Sequence, residues 1–155
     1  MTTDCTLTIT PVTWDDPDAV RLREAQRTEL DARYGTDDHE PGAVPTAETV
    51  AVFLLARDTV GTAVGCGGLR LLEPGTAEIK RMYVEPARRG HGHSRAVLRA
   101  LVQHARDVGL REVRLETGSR QVAAVRLYES EGFTPIPVYG YWKDHPETLC
   151  FALVL

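Results

Sequence analysis

The sequence predicts an α/β fold: a mixed, mostly antiparallel twisted sheet flanked by helices on both faces. Three observations carry this expectation. Stretches with apolar residues at helical spacing alternate with short β-branched runs bounded by glycine and proline. Turns at residues 57–59 and 74–75 join neighbouring runs closely enough for an antiparallel meander. A strand, a glycine-rich turn and a helix follow one another over residues 78–105, and a further strand completes a βαβ unit, which requires a parallel pair.

Taken in order, residues 7–10 read as a first strand closed by Pro11. Asp16-Pro17-Asp18 starts a helix, with an N-cap acid, proline at the first helical position and another acid in the first turn. Val20, Leu22, Ala25 and Leu30 then recur at roughly helical spacing as far as Tyr34-Gly35. Residues 36–47 have no period and many breakers, so they read as a surface loop. Residues 50–55, 60–72 and 77–84 form the meander, its second strand interrupted by Gly65, Gly67 and Gly68. Val97, Leu98, Leu101, Val102, Ala105 and Val108 then make one face of an amphipathic helix that Gly109 ends. A strand at 113–117, a helix at 121–131 capped by Gly132, and closing strands at 133–138 and 149–155 complete the chain.

No repeat, linker or low-complexity tract interrupts this order, so residues 1–155 are expected to form a single domain. That length buries a core without disulfides or metals. The formal net charge of −4 weighs against nucleic acid as a partner and is compatible with a cationic substrate. Cys5, Cys66 and Cys150 form neither a CxxC pair nor a zinc pattern, and read as reduced, structural thiols. The N-terminal residues lack a basic, then apolar, leader, and no window reaches the length of a membrane span. A cytoplasmic protein with no membrane partner is expected.

The most informative segment is Arg89-Gly90-His91-Gly92-His93-Ser94. Before it stands Glu78-Ile79-Lys80-Arg81-Met82-Tyr83-Val84-Glu85-Pro86, a strand stopped by proline; after it a helix begins at Ala96. A strand, a tight glycine turn and a helix N-terminus together make a cradle of backbone N–H groups facing an anion. The guest this predicts is a pyrophosphate. His91 and His93 lack the further ligands a zinc site needs, so they read as solvent-facing turn residues and no metal is expected.

These residues resemble the GNAT superfamily of N-acetyltransferases, small stand-alone bacterial members above all. The turn fits the family pattern of Gln or Arg, two residues, Gly, one residue, then Gly or Ala, with Ser94 at the last place. A second block, Gln121-Val122-Ala123-Ala124-Val125-Arg126-Leu127-Tyr128-Glu129-Ser130-Glu131-Gly132-Phe133, is similar to the family's Asn-x-x-Ala-x-x-Leu-Tyr-x-x-x-Gly-Phe helix, with Gln121 in place of Asn. The likeness covers roughly residues 50–155, and the first fifty fit the family's variable substrate side.

The resemblance implies acetyl-CoA as co-substrate. The N–H groups of Arg89, Gly90, His91, Gly92, His93 and Ser94 would hold its pyrophosphate, with Arg88 and Arg89 as supplementary cations. It also implies that the backbone of Met82 and Val84 pairs with the pantetheine arm, that an N–H of the 82–84 segment polarises the thioester carbonyl, and that Gln121 contacts the cofactor. Tyr128 would protonate the leaving thiolate, or else only pack its ring and wet its hydroxyl. Glu78, eleven positions before Arg89, matches the general-base glutamate of histone-type members; its other reading is a cross-strand ion pair. Regular alternation would put Glu78, Lys80, Met82 and Val84 on one face of their strand, and Ile79, Arg81 and Tyr83 on the other. Glu116 and Thr117 either touch substrate or finish the sheet. Tyr139, Tyr141 and Trp142 either wall an acceptor pocket or pack a hairpin. Asp37, Asp38, His39 and Glu40 read as a solvated run with a secondary role in attracting an amine.

Direct acetyl transfer to a primary amine, of a small molecule in preference to a protein tail, is the leading reading. No cysteine or serine has a nucleophile setting that would support an acyl-enzyme. The alternatives are a non-catalytic acyl-CoA sensing module and a protein N-terminal or lysine acetyltransferase. A nucleotide-binding enzyme is disfavoured by the missing P-loop Lys-Ser/Thr. A homodimer is the closed assembly to expect first.

Overall fold

Alternation along one strand builds two cores at once. Val52, Leu54 and Ala56 point into one apolar cluster, while Phe53 and Leu55 point into the other. The computed structural model describes residues 6–35, 43–140 and 146–155. Its strands are β1 (Thr8–Val12), β2 (Val50–Arg57), β3 (Ala63–Glu73), β4 (Thr76–Val84), β5 (Glu112–Gly118), β6 (Thr134–Ile136) and β7 (Thr148–Val154). Its helices are α1 (Pro17–Tyr34), α2 (His93–Asp107) and α3 (Val122–Ser130). They follow the expected order. The seven strands form one sheet in the order β1-β2-β3-β4-β5-β7-β6, antiparallel except for the β4–β5 pair. Helix α1 covers one face through Ala19 and Leu22, and α2 and α3 cover the other through residues such as Leu98, Leu101 and Tyr128.

Local chemistry fixes the ends of the elements. Asp16 caps α1 by accepting from the N–H groups of Asp18 and Ala19 at 2.9 and 3.3 Å, and Gly35 ends it. Strand β1 runs through Pro11 instead of stopping there, because it lies at the edge of the sheet, where a missing N–H costs little. Strand β3 starts at Ala63, later than its apolar pattern suggests. The Asp58 carboxylate accepts from the N–H groups of Val60 and Thr62, holding 58–62 in a turn. Strand β6 is confined to three residues between Phe133 and Pro137.

Two departures shape the site. Helix α2 begins at His93, so His93 and Ser94 are its first turn and not part of a loop. The regular alternation along β4 also fails. Cys66 pairs with Tyr83 and Gly68 with Lys80, so Arg81 and Met82 together oppose Gly67. This is a β-bulge, and Arg81 sits in it at φ +59°, the one non-glycine residue at positive φ among those described. Beyond the bulge the faces exchange. Ile79 and Met82 share the cluster under α2, whereas Tyr83 packs with α1. Gly67 allows this, since a Cβ there would lie 3.0 Å from Met82 Cγ and 2.9 Å from Leu101 Cδ1.

Candidate active site

The bulge bends β4 away from its parallel neighbour. Pairing between β4 and β5 stops after Thr76–Glu112, Ala77–Val113 and Glu78–Arg114. Past that point the strands part, leaving a gap of about 90 Å³ between Ile79, Lys80, Arg81 and Met82 on one side and Leu115, Glu116, Thr117 and Gly118 on the other. Gln26 of α1 and Tyr128 of α3 also line it. A larger cleft of about 710 Å³ runs from this gap along Met82, Tyr83 and Val84 to Arg88, Arg89, Gly90, Gly92, His93 and Ser94. Gln26, Gln121 and Tyr128 line both spaces. A long ligand lying in the cleft therefore ends beside Tyr128.

The distal end of the cleft suits an anion. Gly92, at φ +81°, takes the left-handed conformation that brings the chain into α2, and it caps the helix without a side-chain bond. The first intrahelical bond runs from the Ala96 N–H to the Gly92 carbonyl, so the N–H groups of His93, Ser94 and Arg95 have no helical acceptor. A Cβ at Gly90 or Gly92 would meet nothing within 4 Å, so this end of the cleft is open. Arg33, Arg88, Arg89, Arg95 and Arg120 line the cleft, each with an acid beside it: Glu29 for Arg33 and Arg89, Asp58 for Arg88, Glu131 for Arg95 and Glu147 for Arg120. That concentration of cations arises in a chain of net charge −4.

The residues expected to bind cofactor line this cleft, apart from His91, which is exposed and whose ring lies 5.9 Å from that of His93. His93 is not solvent-facing: it is buried, and its imidazole pKa is lowered chiefly by desolvation. Arg89 is less available than expected. Its guanidinium holds both Glu29 oxygens at 2.8 Å and donates to the Val84 carbonyl at 3.0 Å. Arg88 pairs with Asp58 at 2.9 Å. The Met82 carbonyl accepts from Gln26 Nε2 at 2.8 Å. The Glu85 N–H donates to the Val64 carbonyl on the β3 side, so antiparallel alternation turns the N–H of Val84 toward the cleft.

Around the reaction end, Tyr128 is buried against Phe133 and Phe151. Desolvation, then the nearby Glu116 carboxylate, raises its hydroxyl pKa well above the ordinary phenol value. Glu78 is 1% exposed and lines neither space. One oxygen meets Arg70 at 2.7 Å and Lys80 at 3.6 Å; the other accepts from the Tyr139 hydroxyl. Glu116 and Thr117, by contrast, line the gap itself. Lys80 bridges the two acids, reaching Glu116 at 4.0 Å. Tyr141, Trp142, Asp37, Asp38, His39 and Glu40 lie outside the described residues. Among the described residues no group of three or more His, Cys, Asp or Glu is placed to hold a metal, and no helix is long and apolar enough to cross a membrane.

Sequence reading missed the contribution of α1. Gln26, Glu29, Leu30 and Arg33 all line the cleft, and their three- and four-residue spacing on one helix face was the available signal. Arg95 and Arg120, also in its wall, adjoin the two motif segments, Arg95 directly after the first and Arg120 directly before the second.

A splayed parallel pair, with a helix N-terminus at one end of the cleft and a buried tyrosine at the other, defines a class of proteins that hold a long phosphorylated ligand against an open sheet. The model of the acetyltransferase (GNAT) family matches residues 13–133, and the chain belongs to that family. It is 39% identical over 98 residues to an IAA acetyltransferase from Azospirillum brasilense, covering 63% of each chain. It thus spans less than two thirds of that relative's length. The structure of a protein described as an acyl-CoA N-acyltransferase from Klebsiella pneumoniae matches with a TM-score of 0.81 at 33% identity, over 97% of this chain and 98% of that one. A GNAT family acetyltransferase from Elizabethkingia anophelis, with acetyl-CoA bound, shares the fold at TM-score 0.72 and 20% identity, over 96% and 98% of the two chains.

Proposed function

We propose that this chain is an acetyl-CoA-dependent N-acetyltransferase that transfers the acetyl group directly to a primary amine of a small molecule. The observation that carries the reading is Tyr128, held protonated where the long cleft and the β4–β5 gap meet.

Acetyl-CoA supplies a thioester carbonyl as the acceptor of an amine's lone pair, and this chain supplies the surroundings. The N–H groups of the first turn of α2, which have no helical acceptor, hold the pyrophosphate together with the arginines of the cleft. The N–H groups of Met82 and Val84 pair with the pantetheine arm, and one N–H of that segment stabilises charge on the carbonyl oxygen. The amine nitrogen attacks from the β4–β5 gap: an N–C bond forms, the C–S bond breaks, and the amine loses a proton. Glu116, lining the gap, takes that proton directly or through a water. Glu78, shielded by Arg70, Lys80 and Tyr139, acts in this reading as the second carboxylate behind Lys80. The Tyr128 hydroxyl gives its proton to the departing sulfur and is recharged from solvent through the cleft.

Thiol release from acetyl-CoA across a panel of amines tests this reading. Turnover on one class of small amine supports it. Tight acetyl-CoA binding with no release on any amine supports the sensing module instead, and release only with peptides would assign a protein acceptor.

A further inference from the structure

A third cavity, of about 290 Å³, adjoins the reaction end from the α1 side. Trp14, Arg23, Glu24, Gln26, Arg27 and Arg81 contribute to its wall. It shares Gln26, Leu30 and Arg81 with the β4–β5 gap, so a small molecule entering the gap has this hollow at its back. Three guanidiniums face one carboxylate here; Glu24 and Arg27 are exposed, whereas Arg23 and Arg81 are half-buried.

Arg23 is the unusual residue. Its guanidinium lies 3.6 Å over the Trp14 ring and 5.2 Å from that of Phe53, a stacked placement that fixes its orientation. Its Nη1 is buried and has no hydrogen-bond partner. Burying a charged donor without an acceptor is costly, and here a second cation, Arg81, adds to the cost. The nearby Cys66 thiol gives no compensating charge at neutral pH, since burial pushes its pKa up to about 12. Arg81 borders both hollows because the bulge holds it at positive φ, a strained conformation of the sort kept where a site needs it. One helical turn from Arg23, Gln26 spends its amide N–H on Met82, and its Oε1 is buried with no donor.

An unpaired cationic donor and an unpaired acceptor, three residues apart on one helix face, lack one complementary guest. We propose that the acceptor is an amine that also carries a carboxylate. The carboxylate accepts from Arg23 in the third cavity, while an N–H of the amine donates to Gln26 Oε1 at the entrance to the β4–β5 gap. This assignment rests on the N-acetyl transfer proposed above and names its substrate class.

The test compares amino acids with their matched carboxamides, which keep the amine and remove the charge. In thiol-release assays on the full chain, the acids should be favoured in kcat/KM by roughly ten- to hundredfold, the range of a charge-assisted hydrogen bond, mainly through KM. Arg23→Gln should collapse that ratio toward unity and leave the KM for acetyl-CoA where it was, and Arg23→Lys should restore part of it. Equal turnover of acids and amides by the unaltered protein, or an equal slowing of both by Arg23→Gln, would overturn the proposal and leave acetyl transfer standing. A second arm needs no turnover. Trp14 emission, titrated with the same compounds, should respond to acids and not amides, and the response should vanish in Trp14→Phe. No acid-specific response would overturn the subsite even if no amine is acetylated, an outcome that counts separately against the transferase reading.

Discussion

The Nζ of Lys80 lies 3.6 Å from Oε1 of Glu78, and the two side chains are 4% and 1% exposed. A charge this deep persists only when paired, and Lys80 is also 4.0 Å from Glu116, so one ammonium serves two carboxylates. Lys80→Met keeps the volume and removes the charge. Glu78 retains Arg70, but Glu116 and Glu78 then face each other without a bridge. The expected loss is about 3 kcal/mol of stability, the scale for breaking a buried pair from one side. Urea unfolding checks it, and adding Glu116→Gln to Lys80→Met should recover part of the loss.

Gly118 ends β5 against α1. A Cβ at Gly118 would fall 1.5 Å from the Tyr34 hydroxyl oxygen and 2.6 Å from its Cζ, so the ring would have to move. Tyr34 also lines the β4–β5 gap. Gly118→Ala should therefore cost about 1–3 kcal/mol, typical of overpacking, and raise the KM for the amine. Thermal unfolding reads the first effect. In a Tyr34→Ala background the same substitution should cost much less.

The bidentate bond from Arg89 is the first cause that lowers the Glu29 pKa below its usual value of 4.5. The folded form therefore holds this proton more weakly than the unfolded chain. The pair's stabilisation is full above the unfolded pKa and is lost as pH falls through the lower folded value. Unfolding free energies of the natural chain and of Glu29→Gln should differ most above about pH 5 and converge as the pH drops below the usual carboxylate range. A difference that instead grew toward low pH would contradict the pairing.

Local signals were legible in the sequence. Asp16-Pro17, the glycine turn and the Tyr128 helix each announce themselves within a few residues, because caps, tight turns and helical stripes are short-range chemistry. The bulge was not legible. Charged Arg81 and apolar Met82 fit a regular strand as well as a broken one, and the extra residue becomes visible only when Gly67 is paired across the sheet. The same limit hid the burial of Glu78, whose partners Arg70 and Tyr139 are 8 and 61 positions away. The roles of Gln26 and Arg23 depend on which face of α1 meets β4. Apolar positions alone decide that face weakly, because this helix buries only Ala19 and Leu22 among its side chains.

The central claim is that Tyr128 gives its proton to the departing thiolate at the point where the cleft meets the gap. Tyr128→Phe removes one oxygen and keeps the ring among Phe133 and Phe151. Single-turnover thiol release, paired with calorimetric binding of acetyl-CoA, separates chemistry from binding. The account predicts an unchanged Kd and a chemical step slower by about a hundredfold or more, the usual contribution of general acid catalysis. It also predicts no loss of rate in the natural protein from Tyr128 ionisation below about pH 10, the ordinary phenol pKa, because the folded value is raised above it. A Tyr128→Phe protein that binds acetyl-CoA and transfers the acetyl group at the full rate would contradict it.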